Sequence, residues 1–102
     1  MTLKLAMTDQ EQSIVSAIQC EHLPGDVTVH VFGSRAGGRV KAWSDLDLLL
    51  EGPAALPLSL IAALVEAFDE SDLPWKVDLV DRKTISDGFG QLIDQTKIAL
   101  PN

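Results

Sequence analysis

The chain has 102 residues, 46% apolar and 23% charged, with 15 acidic against 8 basic side chains and a formal net charge of -7. That length suits one domain over residues 1–102 with a single core, able to bury only about two-thirds of the surface its unfolded form exposes. The acidic balance opposes direct polynucleotide binding, which depends on many Lys and Arg contacts; no apolar run approaches the ~18 residues of a membrane span, and without a convincing signal peptide a cytoplasmic location is the default expectation.

Residues 1–7 carry no strong pattern. Thr8-Asp9-Gln10-Glu11 then reads as a capping box, with Thr8 accepting from the backbone at Glu11 and Glu11 reaching back. A helix is expected from Asp9 to His22, with Ile14, Val15 and Ile18 on its buried stripe. Cys20 is the only cysteine, which excludes an internal disulfide and argues against a Cys-based zinc site, so it reads as a packing residue. Pro24-Gly25-Asp26 ends the helix and turns the chain into a strand, Val27 to Phe32. Val27, Val29 and Val31 share one face of it, and Thr28, His30 and Phe32 the other. His30 reads as a packed or partly exposed strand residue, because hard-cation phosphate sites prefer oxygen ligands.

Gly33-Ser34 cuts that strand off and opens a glycine-rich turn carrying Arg35, Gly37, Gly38, Arg39 and Lys41. Glycines let backbone N–H groups come close to an anion, and Ser34 adds a hydroxyl donor. Trp43 reads as a cover for the turn. A second apolar run opens with Ser44-Asp45-Leu46-Asp47 and continues to Leu50. In a strand, Asp45 and Asp47 share a face roughly 6 to 7 Å apart. Two such carboxylates raise each other's pKa, a cost that a bound divalent cation removes, and magnesium is the cation that wants one or two carboxylates plus substrate phosphates.

Glu51-Gly52-Pro53 stops the ladder, and after a Pro-containing loop Ser59 caps an expected helix reaching Glu70, with Leu60, Ile61, Leu64, Val65 and Phe68 as its core face. A third strand is expected over Trp75 to Val80. A strand, helix, strand unit closes right-handed and parallel, which sets the starts of the second and third strands side by side, with the first strand antiparallel to the second. Asp78 and Asp81 are both candidates for a third carboxylate, and the residues alone leave the choice nearly even. Lys76, Arg82 and Lys83 surround them. A last helix is expected over Thr84 to Gln95, capped by Thr84, with Phe89, Leu92 and Ile93 as its apolar stripe and Gly88 and Gly90 weakening it. Lys97 to Leu100 reads as a short extended tail.

Gly33, Ser34, Gly38, the Asp45-x-Asp47 pair and Val77-Asp78-Leu79-Val80, in that order, resemble the signature of the minimal nucleotidyltransferases, the MNT type of the DNA polymerase beta-like superfamily. The resemblance spans nearly the whole chain and departs from the pattern at Gly37, where many members carry a larger, often basic residue. It implies an α+β fold of the polymerase beta-like palm kind, a small mixed β-sheet with helices packed on it. It implies a Mg-dependent nucleotidyltransferase in which Asp45, Asp47 and Asp78 are the catalytic and metal-holding acids, Asp78 being chosen over Asp81. Gly33, Ser34, Arg35, Gly38 and Arg39 would bind the nucleotide, and the cofactors would be two Mg2+ ions with an NTP, ATP by resemblance. The implied reaction moves AMP to an acceptor hydroxyl and releases pyrophosphate, with a small helical HEPN-type protein as partner and acceptor in a toxin–antitoxin pair. The alternative is a non-catalytic, antitoxin-like subunit that masks its helical partner by contact alone.

Overall fold

The computed structural model describes residues 7–36 and 44–100. Its elements run α1 (Asp9–His22), β1 (Thr28–Phe32), a 3-10 turn (Gly33–Arg35), β2 (Leu46–Glu51), α2 (Leu58–Asp69), β3 (Val77–Asp81), α3 (Asp87–Asp94) and β4 (Ile98–Ala99). The lead-in before Met7 and the turn residues Gly37, Gly38, Arg39, Lys41 and Trp43 lie outside the described residues.

The capping box sets the start of α1: Glu11 N–H donates to the Thr8 hydroxyl at 3.1 Å and Thr8 N–H donates to the Glu11 carboxylate at 2.9 Å. Val15 and Ile18 are buried, with Ile14 packed partly against them. Cys20, expected to pack, is instead exposed; two residues beyond Ile18 is about 200° round a helix, which carries it off the buried stripe.

The four strands lie in the order β3-β2-β1-β4, with β2 parallel to β3 and β1 antiparallel to both its neighbours. This mixed sheet with helices against it is the α+β arrangement that the sequence implies. Leu46, Leu48 and Leu50 of β2 join Val29 and Val31 of β1 in a core shared with Val15, Ile18, Leu64 and Phe68 from α1 and α2. Full burial of each such side chain contributes about 1.5–3 kcal/mol. The extended tail proves to be a paired strand, since Ile98 and Ala99 stand opposite Val31 and His30, and Leu100 N–H donates to the Val29 carbonyl at 3.3 Å.

The opposite face of the sheet is divided. At one end Leu49 is fully buried between His30 and Val80 in the register. There Lys97 ties α3 to the sheet, its ammonium 2.7 Å from Glu51 Oε1 and 2.9 Å from Asp94 Oδ1. The other end carries Phe32, Asp47 and Asp78.

Several boundaries move from their expected places. Pro57, not Ser59, precedes the first turn of α2 and no side chain caps it; the fixed φ of proline already presets that turn. Val65, expected in the core, is 41% exposed, one residue and thus about 100° round from Leu64. Thr84 does not cap α3: its hydroxyl and its N–H both donate to the Asp81 carbonyl at 3.0 Å, closing the turn after β3. Ser86 is the cap, accepting from Phe89 N–H at 3.2 Å. Of the expected stripe on α3 only Ile93 is buried, while Phe89 and Leu92 are 44% and 64% exposed. A Cβ at Gly90 would meet the Arg82 guanidinium, the end of a flexible side chain that has to shift to admit it, whereas Gly88 faces open space. Among the described residues no helix is long and apolar enough to cross a membrane.

Candidate active site

The sheet register assembles the acids. Phe32 of β1 stands opposite Asp47 of β2, and Asp47 stands beside Asp78 of β3, so these three form one row across adjacent strands. Asp45 lies just ahead of β2 and is exposed, a departure from the expectation that it shares the strand with Asp47. Leu46 between them is fully buried and pins both neighbours at the mouth of the sheet. Asp47 is partly buried, and its carboxyl is pushed above the ordinary carboxylate range first by burial, then by the negative charges of Asp78 and Asp45. Three acids from two strands and the approach to one of them therefore act on a common space.

Gly33 is fitted to that space. Its φ is 76°, a left-handed value, and a Cβ added there would collide with Asp47 Oδ2 and stand 3.3 Å from Asp47 Cγ. The glycine is thus needed by the carboxylate itself, a use that the sequence does not announce. The backbone of Ser34 continues the 3-10 turn, and its side chain, with Gly38 and Arg39, lies outside what is described.

Arg35, one of the expected nucleotide-binding residues, has partners within the chain. It is 5% exposed, and its Nε and Nη2 donate to the Ser44 carbonyl at 3.1 and 2.9 Å. Its guanidinium lies over the Trp75 ring, 4.1 Å from the centroid. Lys76, mostly exposed, approaches Asp78 with its ammonium 3.5 Å from Oδ1; an exposed pair of this kind is worth little and leaves the lysine able to swing toward an incoming anion.

The two later acids differ in their partners. Asp81 is buried and its carboxylate accepts from Leu56 N–H at 2.7 Å and Lys83 N–H at 2.9 Å, which makes it a fastener of the loop before α2. Asp78 has no such engagement and faces Asp47. His30 is partly buried beside Glu51, its Nδ1 3.8 Å from Oε1, and burial together with Lys97 lowers its pKa. It belongs to the end of the face tied to α3, away from the acids.

Among the described residues no three acidic, His or Cys side chains are gathered tightly enough to hold a metal by themselves. The donor set nonetheless suits magnesium, which keeps several waters and is bound through one or two carboxylates plus substrate phosphates rather than in an all-protein cage. A carboxylate whose ionisation is opposed by two neighbours is the electrostatic counterpart of that chemistry.

The family of nucleotidyltransferase domains matches residues 13–101, which takes in all three acids. A Haemophilus influenzae protein named "Probable protein adenylyltransferase MntA" is 40% identical over 97 residues, covering 95% of this chain and 84% of that one. Among solved structures, a chain of a toxin–antitoxin crystallised with AMP-PNP superposes with a TM-score of 0.74 at 22% identity, over 89% of this chain and 73% of that one. A chain of the complex between tri-AMPylated Shewanella oneidensis HEPN toxin and MNT antitoxin superposes with a TM-score of 0.64 at 20% identity, over 94% and 73%. At those identities the structural matches show a shared fold.

Proposed function

The chain belongs to the nucleotidyltransferase domain family, and from that membership we propose that it transfers AMP from ATP to a hydroxyl on a small helical HEPN-type partner, releasing pyrophosphate. The observation that carries this is Asp47 with its raised pKa, in register with Asp78, flanked by Asp45 and seated against Gly33. Asp45, Asp47 and Asp78 would hold two magnesium ions, which when bound neutralise charge on the attacking and leaving oxygens. The backbone of Gly33 and Ser34, with Gly38 and Arg39 of the turn, would hold the outer phosphates. In the transfer, the acceptor oxygen bonds to the α-phosphorus as the bond from that phosphorus to the oxygen bridging the β-phosphate breaks. Asp78, on the strand farther from the turn, helps take the proton of the acceptor hydroxyl. Most of the acceleration is then positioning and electrostatics.

The acceptor and partner are supported by the names of the relatives, one a protein adenylyltransferase and another a complex in which a HEPN toxin carries AMP. This chain contains no tyrosine, so a tyrosyl acceptor has to be the partner's. A net charge of -7 favours a protein acceptor over a nucleic acid. A single minimal domain working in the cytoplasm beside its partner fits these features. The test is incubation of the purified chain with a HEPN-type partner, magnesium and ATP labelled at the α-phosphate. Label on the partner that is absent with chelator and sharply reduced with Asp47→Asn supports the reading; label accumulating at a near-normal rate in the Asn variant contradicts it.

A further inference from the structure

Arg35, at the acid-bearing end of the sheet, packs against a backbone carbonyl and an aromatic ring. It is buried, and burial lowers its pKa while Glu11 of α1 acts the other way. Two of its N–H groups converge on the carbonyl of Ser44, the residue directly before Asp45, and its plane covers Trp75, which stands three residues before Asp78. Arg35 itself ends the turn that begins at Gly33, the glycine against Asp47. One side chain thus touches the approach to each of the three acids, at the point where Leu46 N–H donates to the Lys76 carbonyl at 2.9 Å and the β2–β3 ladder begins.

We propose that Arg35 is a positioning residue, which sets the spacing of Asp45 and Asp78 about Asp47 by gripping the Ser44 carbonyl and covering Trp75. The proposal rests on the transferase reading of the site. The guanidinium does this by shape: a planar fork that donates through adjacent nitrogens while stacking on an indole has no equivalent in a lysine, whose ammonium is a point charge on a flexible stem. Displacements of about 1 Å at a reacting centre cost on the order of 10²-fold in rate.

The test compares wild type, Arg35→Lys and Arg35→Met for kcat and KM in transfer from ATP, and for hydrogen exchange of the Leu46 amide in the protein without nucleotide or metal. The expected result is a loss of about 10²-fold in kcat for both variants with KM for ATP little changed. Exchange at Leu46 should quicken in both while the core of β2 keeps its protection. Wild-type kcat in Arg35→Lys would overturn the proposal, as would a KM for ATP that rises steeply in Arg35→Met alone, since either makes the charge rather than the fork the working feature. Protection lost evenly along β2 would overturn it too, by reducing Arg35 to a general contributor to stability. A wild type that transfers nothing would sink the transferase reading instead, and the exchange data would still decide whether Arg35 holds the mouth of the sheet.

Discussion

Asp47 is the residue at which stability and the proposed function pull apart. Burial and the charges of Asp78 and Asp45 raise its pKa, so the folded chain disfavours the ionised carboxylate relative to the unfolded chain. Asp47 therefore detracts from stability at neutral pH, and the deficit disappears as the pH falls through its raised pKa. Asp47→Asn should melt at a higher temperature than wild type at pH 7, with the difference shrinking in acid, while transfer falls by about 10²–10³-fold. A variant that melts lower at neutral pH would contradict this. Gly33→Ala meets two obstacles at once, a left-handed φ and the Asp47 carboxylate. Denaturant unfolding should show a loss of at least ~1 kcal/mol, accompanied by a fall in transfer because Asp47 is pushed aside. The Asp45-x-Asp47 pair at the opening of a strand is legible in the sequence, whereas Asp78 and Asp81 are told apart there only by the family resemblance. The inward turn of Arg35 is not legible, since it depends on Ser44 and Trp75, nine and forty positions further on, and a basic residue in a glycine-rich turn reads as a phosphate contact.

At the scale of elements, local chemistry predicts best where one signal acts alone. The Thr8 box fixes the start of α1, and the alternating valines fix the faces of β1. α3 was less legible because two hydroxyls compete for its N-terminus. The carbonyl of Asp81 captures Thr84 for the turn and leaves Ser86 to cap. The apolar stripe of α3 likewise divides, with Ile93 against the protein and Phe89 and Leu92 outside. Ile93→Ala should cost about 2–4 kcal/mol in unfolding free energy, whereas Leu92→Ser should stay within about 0.5 kcal/mol. Equal losses from the two would mean that the outer face of α3 is covered within this chain. The C-terminal strand escaped the sequence reading because two residues carry no periodicity, and only the edge of β1 makes them a strand.

Taken whole, the topology explains how so short a chain gathers a site. A parallel β2–β3 pair and an antiparallel β1 bring one strand end and two strand starts to a common edge. Helices α1 and α2 fill the inner face, and α3 occupies only the far end of the outer one, which leaves the acids facing outward. In the proposed function that arrangement would hold a nucleotide by its phosphates, with the acceptor supplied by another protein. The central claim is the covalent transfer itself, and intact mass spectrometry of a HEPN-type partner purified after co-expression tests it most directly. The comparison is with the same co-expression carrying Asp45→Asn and Asp47→Asn together. The account predicts that the partner gains one or more AMP units with the wild-type chain and none with the double variant. A partner of unchanged mass, in a stable complex with both versions, would contradict it and leave a subunit that acts by contact alone.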